Sequence, residues 1–119
     1  MGQRVPDDYR SYLLQQDGGR LIDNSEAVKY IFGLGDVPDY MSMQGKLRTY
    51  HDRVPRWLLP VARDEYGNLY AISLRDSDSG SVWFWDHERE ADEGEPPTED
   101  NIKLRAPSWT AFLEGLQPI

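Results

Sequence analysis

Residues 59–88 constrain this chain more than any other stretch. Three short β-branched or aromatic runs lie within it, at 59–63, 69–74 and 81–85. Each is bounded by Gly, Asp, Asn or Ser, the pattern of strands joined by tight turns. Asp64-Glu65-Tyr66-Gly67-Asn68 reads as the first turn. Gly67 supplies the positive φ that a hairpin needs, and Asn68 tolerates it. Asp76-Ser77-Asp78-Ser79-Gly80 reads as a loop. No helix-length segment interrupts the run, so it predicts a three-strand antiparallel meander. Alternation sets Val82 and Phe84 on one face of the third strand, and Trp83 and Trp85 on the other. Both faces are therefore apolar. Either helices cover both, or one aromatic face is left for a partner. Large rings dominate small cores, which favours the first option.

The flanking segments supply helices. A helix is predicted over 6–16, with Pro6 in the first turn, Asp7 and Asp8 at its positive end, and Gly18-Gly19 as its stop. Tyr9, Tyr12, Leu13 and Gln16 share its inward stripe. Short strands are predicted over 20–22 and 27–32, with Asp23-Asn24-Ser25 as a turn. Met43, Leu47, Tyr50 and Val54 recur at near-helical spacing, which predicts a second helix over 40–51 ended by Pro55. Residues 101–105 alternate as a last strand. Ser108 then caps a final helix whose inner face carries Trp109, Phe112, Leu113 and Leu116. The fold class expected is α+β: an antiparallel sheet, with a central three-strand meander and short extra strands, flanked by helices at the N-terminus, middle and C-terminus. At 119 residues the chain reads as one domain, 1–119.

Charge is concentrated. The net formal charge is −8, and residues 86–100 hold eight acids against one base, −7 of that total, which leaves −1 for the rest. A strongly acidic chain lacks the basic footprint of a nucleic-acid binder. The acidic run reads either as a solvated loop or as an electrostatic docking surface for a basic partner. No cysteine is present, which excludes disulfide scaffolds and thiol catalysis and fits a reducing cytoplasm. No apolar run spans a membrane, and Met1-Gly2 is followed by Pro6 where a myristoylation motif has Ser or Thr.

Catalysis is not indicated. Gly33-x-Gly35 lacks the remainder of a phosphate loop. Asp76-x-Asp78-x-Gly80 fails the EF-hand pattern, since His87 stands where a bidentate Glu is required. His51 and His87 have no metal-ligand spacing, and no serine has a nucleophile-elbow context. No metal, cofactor or small-molecule substrate is expected, and nothing selects a carboxylate pair from 21 acids.

Four ordered motifs resemble the SUKH superfamily of Smi/Knr-type domains. They are Val5-Pro6-x-x-Tyr9-x-x-Tyr12-Leu13 with Asp17-Gly18-Gly19; Leu59-Pro60-Val61-Ala62-Arg63-Asp64-x-x-Gly67-Asn68; Val82-Trp83-Phe84-Trp85-Asp86-His87-Glu88; and Ala106-Pro107-Ser108-Trp109-x-x-Phe112-Leu113. Asp17 stands where the family usually has Asn. The family usually carries another helix ahead of the Pro6 motif, and this chain begins almost at that motif, an arrangement expected to leave part of the sheet uncovered. The resemblance implies a non-enzymatic role. Bacterial members look like immunity proteins that bind and mask one toxin, such as a nuclease or deaminase. Fungal members are cell-wall synthesis regulators, so a protein-interaction scaffold is the alternative. The expected partner is a basic protein toxin met in the cytoplasm. Its expected contacts are Trp57, Tyr66, Asp86, Glu88, Glu90, Asp92 and Glu93, aromatics beside the acidic run. The motif positions Pro6, Tyr9, Gly18 and Gly19 are expected to be structural, and for Asp64, Gly67, Asn68, Trp85, Asp86 and His87 a role in turn and strand-end geometry is expected ahead of toxin contact, with Asp86 standing in both sets.

Overall fold

The computed structural model describes residues 6–15, 19–20, 28–33, 42–50, 53–92 and 94–116. Six strands form one sheet: β1 (Gly19–Arg20), β2 (Val28–Ile31), β3 (Leu58–Asp64), β4 (Leu69–Ser73), β5 (Val82–Trp85) and β6 (Ile102–Ala106). They lie in the order β1-β2-β3-β4-β5-β6, and every pair is antiparallel. The helices are α1 (Asp7–Gln15), α2 (Met43–Tyr50) and α3 (Trp109–Gly115). This is the α+β arrangement expected, with the three runs of residues 59–85 forming its centre.

Pro60 lies within β3, where a missing N–H would break a ladder. Two features accommodate it. The register with β4 shifts between Pro60 and Ala62. On the other side β2 ends with Ile31 opposite Ala62, so Pro60 lies past its reach.

The register sorts the apolar residues by face, because directly opposed residues share one. Tyr70 opposes Phe84 and Ile72 opposes Val82. α3 packs on that face, with Phe112 at 5.0 Å from Tyr70 between ring centroids. α1 lies against α3: Tyr9 and Tyr12 meet Trp109 edge-on at 5.0 and 5.3 Å. Asp8 fastens the two helices, its Oδ2 accepting from the Thr110 N–H at 2.9 Å and hydroxyl at 3.1 Å. The α3 cap is as predicted, with the Ser108 hydroxyl accepting from the Ala111 N–H at 3.1 Å.

The opposite face carries Leu69, Ala71, Trp83 and Trp85. α2 packs beside β3 on this side, and Tyr50 meets the buried Trp85 edge-on at 5.6 Å. Helices thus lie on both faces. α2 starts at Met43 because Ser42 caps it, its hydroxyl accepting from the Gly45 N–H at 3.2 Å. Leu47, expected on the inner stripe, is 42% exposed, whereas Met43 and Val54 are buried. Gly18, Leu21, Ile22, the 23–25 turn, Tyr40, Met41 and His51 lie outside the described residues.

Candidate partner-binding surface

The β3–β4 turn is built around one carboxylate. Asp64, 3% exposed, accepts from the Tyr66 and Asn68 N–H groups through Oδ1, at 2.8 and 2.9 Å, and from the Asn68 side-chain amide through Oδ2 at 3.0 Å. Gly67 sits at φ 89°, where a side chain would be strained. Asn68 in turn accepts from the His87 N–H through Oδ1 at 3.0 Å, tying the turn to the end of β5. Asp86 caps the 3₁₀ turn His87–Arg89 by accepting from the Glu88 N–H at 3.0 Å. Asp64, Gly67, Asn68, Asp86 and His87 therefore form one bonded frame. It holds Tyr66 70% exposed at the tip.

The acidic run is a loop between β5 and β6 whose ends are closed on each other. The Asp86 N–H donates to the Asn101 carbonyl at 3.0 Å, and the Asn101 side-chain amide donates to the Asp86 carbonyl at 2.8 Å. Two tethers hold the loop between those ends. Arg53 makes a two-pronged pair with Glu90, Nε and Nη2 donating at 3.2 and 3.1 Å. The Arg53 guanidinium lies 4.6 Å from the Tyr50 ring centre. The second tether is the Trp57 Nε1–H, which donates to Glu99 at 3.1 Å. Both tethers come from the segment linking α2 to β3. Gly94, at φ 87°, makes the bend between them. Glu88, Asp92, Glu95, Glu99 and Asp100 remain exposed.

The expected contact residues thus differ in what surrounds them. Tyr66, Glu88 and Asp92 face solvent. Asp86 and Glu90 have side chains engaged within the fold, by the Glu88 N–H and by Arg53. Trp57 is half-buried, and Glu93 lies outside the described residues.

A neighbouring aromatic assembly joins Trp57 and Trp83, both marked in the sequence, with Arg75, which no motif marks. Trp57 and Trp83 meet edge-on at 5.4 Å and 87°. The Arg75 guanidinium lies 3.5 Å from the Trp57 ring centre and pairs with Asp78, Nε and Nη2 donating at 3.1 and 2.6 Å. The Arg75 guanidinium, through its hydrogen bond to Asp78, holds that carboxyl below the usual carboxylate range, and the Ser73 hydroxyl also donates to it, at 2.5 Å. Period-2 alternation gave the face of Trp83, but Arg75 and Trp57 meet it from separate loops, and no local pattern marks that meeting.

A groove of about 140 Å³ lies on the other side of β5–β6, lined by Phe84, Asp86, Arg89, Asp100, Lys103 and Arg105 among others. Its charges are mixed in sign. Among the described residues no three metal-ligating side chains cluster, and no helix is long and apolar enough to cross a membrane.

The comparisons with known proteins agree with the four motifs. A prophage-derived uncharacterized protein of Bacillus subtilis, YokK from SPbeta, is 36% identical over 66 residues, which are 56% of this chain and 32% of that protein. The chain thus spans about a third of that relative's length. No solved structure matches it. Residues 1–115 match the SMI1 / KNR4 family, SUKH-1, and the chain belongs to that family.

Proposed function

We propose that this chain is an immunity protein: one domain that binds a basic toxin in the cytoplasm and masks its active or substrate-binding surface, transforming nothing and using no cofactor. The observation that carries this reading is the tethered acidic loop. Its exposed carboxylates, Glu88, Asp92, Glu95 and Asp100, stand on a loop closed at Asp86–Asn101 and held at Glu90 and Glu99. An anionic surface ordered in advance avoids much of the entropy cost of binding. A nuclease must be basic where it meets phosphate, so such a surface can occupy that site in place of the nucleic acid. Complementary charge also raises association rates, up to roughly 10⁸–10⁹ M⁻¹s⁻¹. Membership of the SUKH family and the prophage-derived relative support an immunity-type role.

The test is co-expression with the product of the neighbouring gene, followed by titration calorimetry at low and high salt. Rescue of growth, a nanomolar one-to-one complex and weakening by salt are expected. Replacing Glu88, Asp92, Glu95 and Asp100 by their amides should reproduce the salt effect. Weak binding to several proteins, without rescue, would replace this reading with the interaction scaffold of the cell-wall-regulator type.

A further inference from the structure

We infer that the partner is anchored by an apolar side chain flanked by basic residues, docked on a patch formed by Trp57, Trp83 and Leu104. The inference deepens the reading of a basic protein partner and rests on it. Leu104 opposes Trp83 in the β5–β6 register, so the two share a face, and Leu104 is 54% exposed. Trp57 and Trp83 are half-buried, and Trp57 extends the same surface by its edge-on contact with Trp83. The three make an apolar floor at the rim of the sheet.

Three properties suit that floor to docking. Its polar atoms are already satisfied: the Trp57 indole N–H donates to Glu99 and the Trp83 indole N–H to the Ser81 hydroxyl at 2.8 Å. A partner covering the rings therefore strands no donor, and avoids the penalty of a buried unpaired group. The rings are also fixed, since Arg75 stacks on Trp57 while its own charge is met by Asp78. Rigid tryptophans of this kind are the usual anchors of interfaces. Finally, the rim is acidic. Glu99 touches Trp57, and Glu95 and Asp100 are exposed on the same loop. That sign selects lysine or arginine on either side of the apolar anchor. A second copy of this chain is the wrong occupant, because it would bring a second acidic loop against the first. Among the described residues the other exposed large apolar groups lack this setting: Leu47 lies on α2, and Tyr66 is at a turn tip.

The test uses the full chain labelled with ¹⁵N and three probe peptides: acetyl-(Lys-Leu)₄-amide, acetyl-(Lys-Ser)₄-amide and acetyl-(Glu-Leu)₄-amide. The four tryptophans each carry one indole N–H for the experiment to follow. The Lys-Leu peptide should shift Trp57 and Trp83 and leave the buried Trp85 and Trp109 in place. The Lys-Ser peptide and the Leu104→Ser variant should each weaken binding about tenfold, the scale of one buried leucine. Leu104 is exposed, so that variant is expected to fold normally. Equal binding of Lys-Ser and Lys-Leu, equal binding of Glu-Leu, shifts confined to Tyr66 and the loop, or a dimer that Leu104→Ser dissolves would each overturn the inference. Co-expression separates the two claims. Full rescue and unchanged toxin affinity by Leu104→Ser would sink the patch and leave the immunity reading standing. Peptide binding at the patch with no rescue by the native chain would do the reverse.

Discussion

Replacing Asp64 with alanine removes an acceptor that serves three donors: two N–H groups of the turn backbone and the Asn68 side-chain amide. A hydrogen bond to a charged acceptor contributes about 1.5 kcal/mol net, so three give about 4.5 kcal/mol if none is replaced. The turn is at the surface, with Tyr66 70% exposed, and water can reach part of the vacated space. The loss expected is therefore about 2–3 kcal/mol, a large share of the ~5–15 kcal/mol stability of a typical domain. Asp64→Asn should fall between, since it keeps one oxygen for the backbone donors but sets an amide against the amide of Asn68. Urea unfolding followed by tryptophan fluorescence measures both variants, and the slope should stay at its native value. A loss below about 0.5 kcal/mol, the range of ordinary surface changes, would refute the argument that this carboxylate frames the turn. If toxin affinity nevertheless fell steeply, Asp64 would have to be a contact residue.

Two further outcomes follow from the same geometry. Gly67→Ala should cost about 1–2 kcal/mol in the same assay, from its φ of 89° alone. A β-carbon there would meet His87 at an ordinary 3.6 Å, so a much larger loss would mean that the contact, not the backbone, decides. The lowered pKa of Asp78 means that the native chain holds this carboxylate more strongly than the unfolded one. Its contribution is present above the ordinary carboxylate pKa of about 3.9 and is lost as pH falls below that value. The stability gap between native protein and Asp78→Asn should be constant above about pH 5 and close as pH falls past 3.9; a gap independent of pH would contradict the pairing with Arg75 and Ser73.

The elements that sequence predicts well here are those set by neighbours along the chain. Gly67 and Asn68 mark the β3–β4 turn, alternation orders β4 and β5, and Ser108 marks the start of α3. Leu47 shows the limit, because its spacing matches an inner stripe and yet it is exposed in the middle of α2, between the buried Met43 and Tyr50, which meets Trp85. Pairings across long separations leave no such mark. Composition places Glu90 among exposed acids, but Arg53, 37 residues earlier, engages it. Trp57 and Glu99 meet across 42 residues, and the Trp57–Trp83–Leu104 surface exists only once register has set Leu104 opposite Trp83.

The closure of Asp86 on Asn101 bears on how such a protein could diversify. Because the stem is fastened by its own pair of bonds, β5 and β6 do not depend on the chain between for their register. Doubling a flexible loop adds only about 0.6 kcal/mol of closure entropy. Insertions and substitutions between Ala91 and Thr98 can therefore accumulate without endangering the sheet, and a lineage pursued by changing partners could rewrite that segment while inheriting the stem intact.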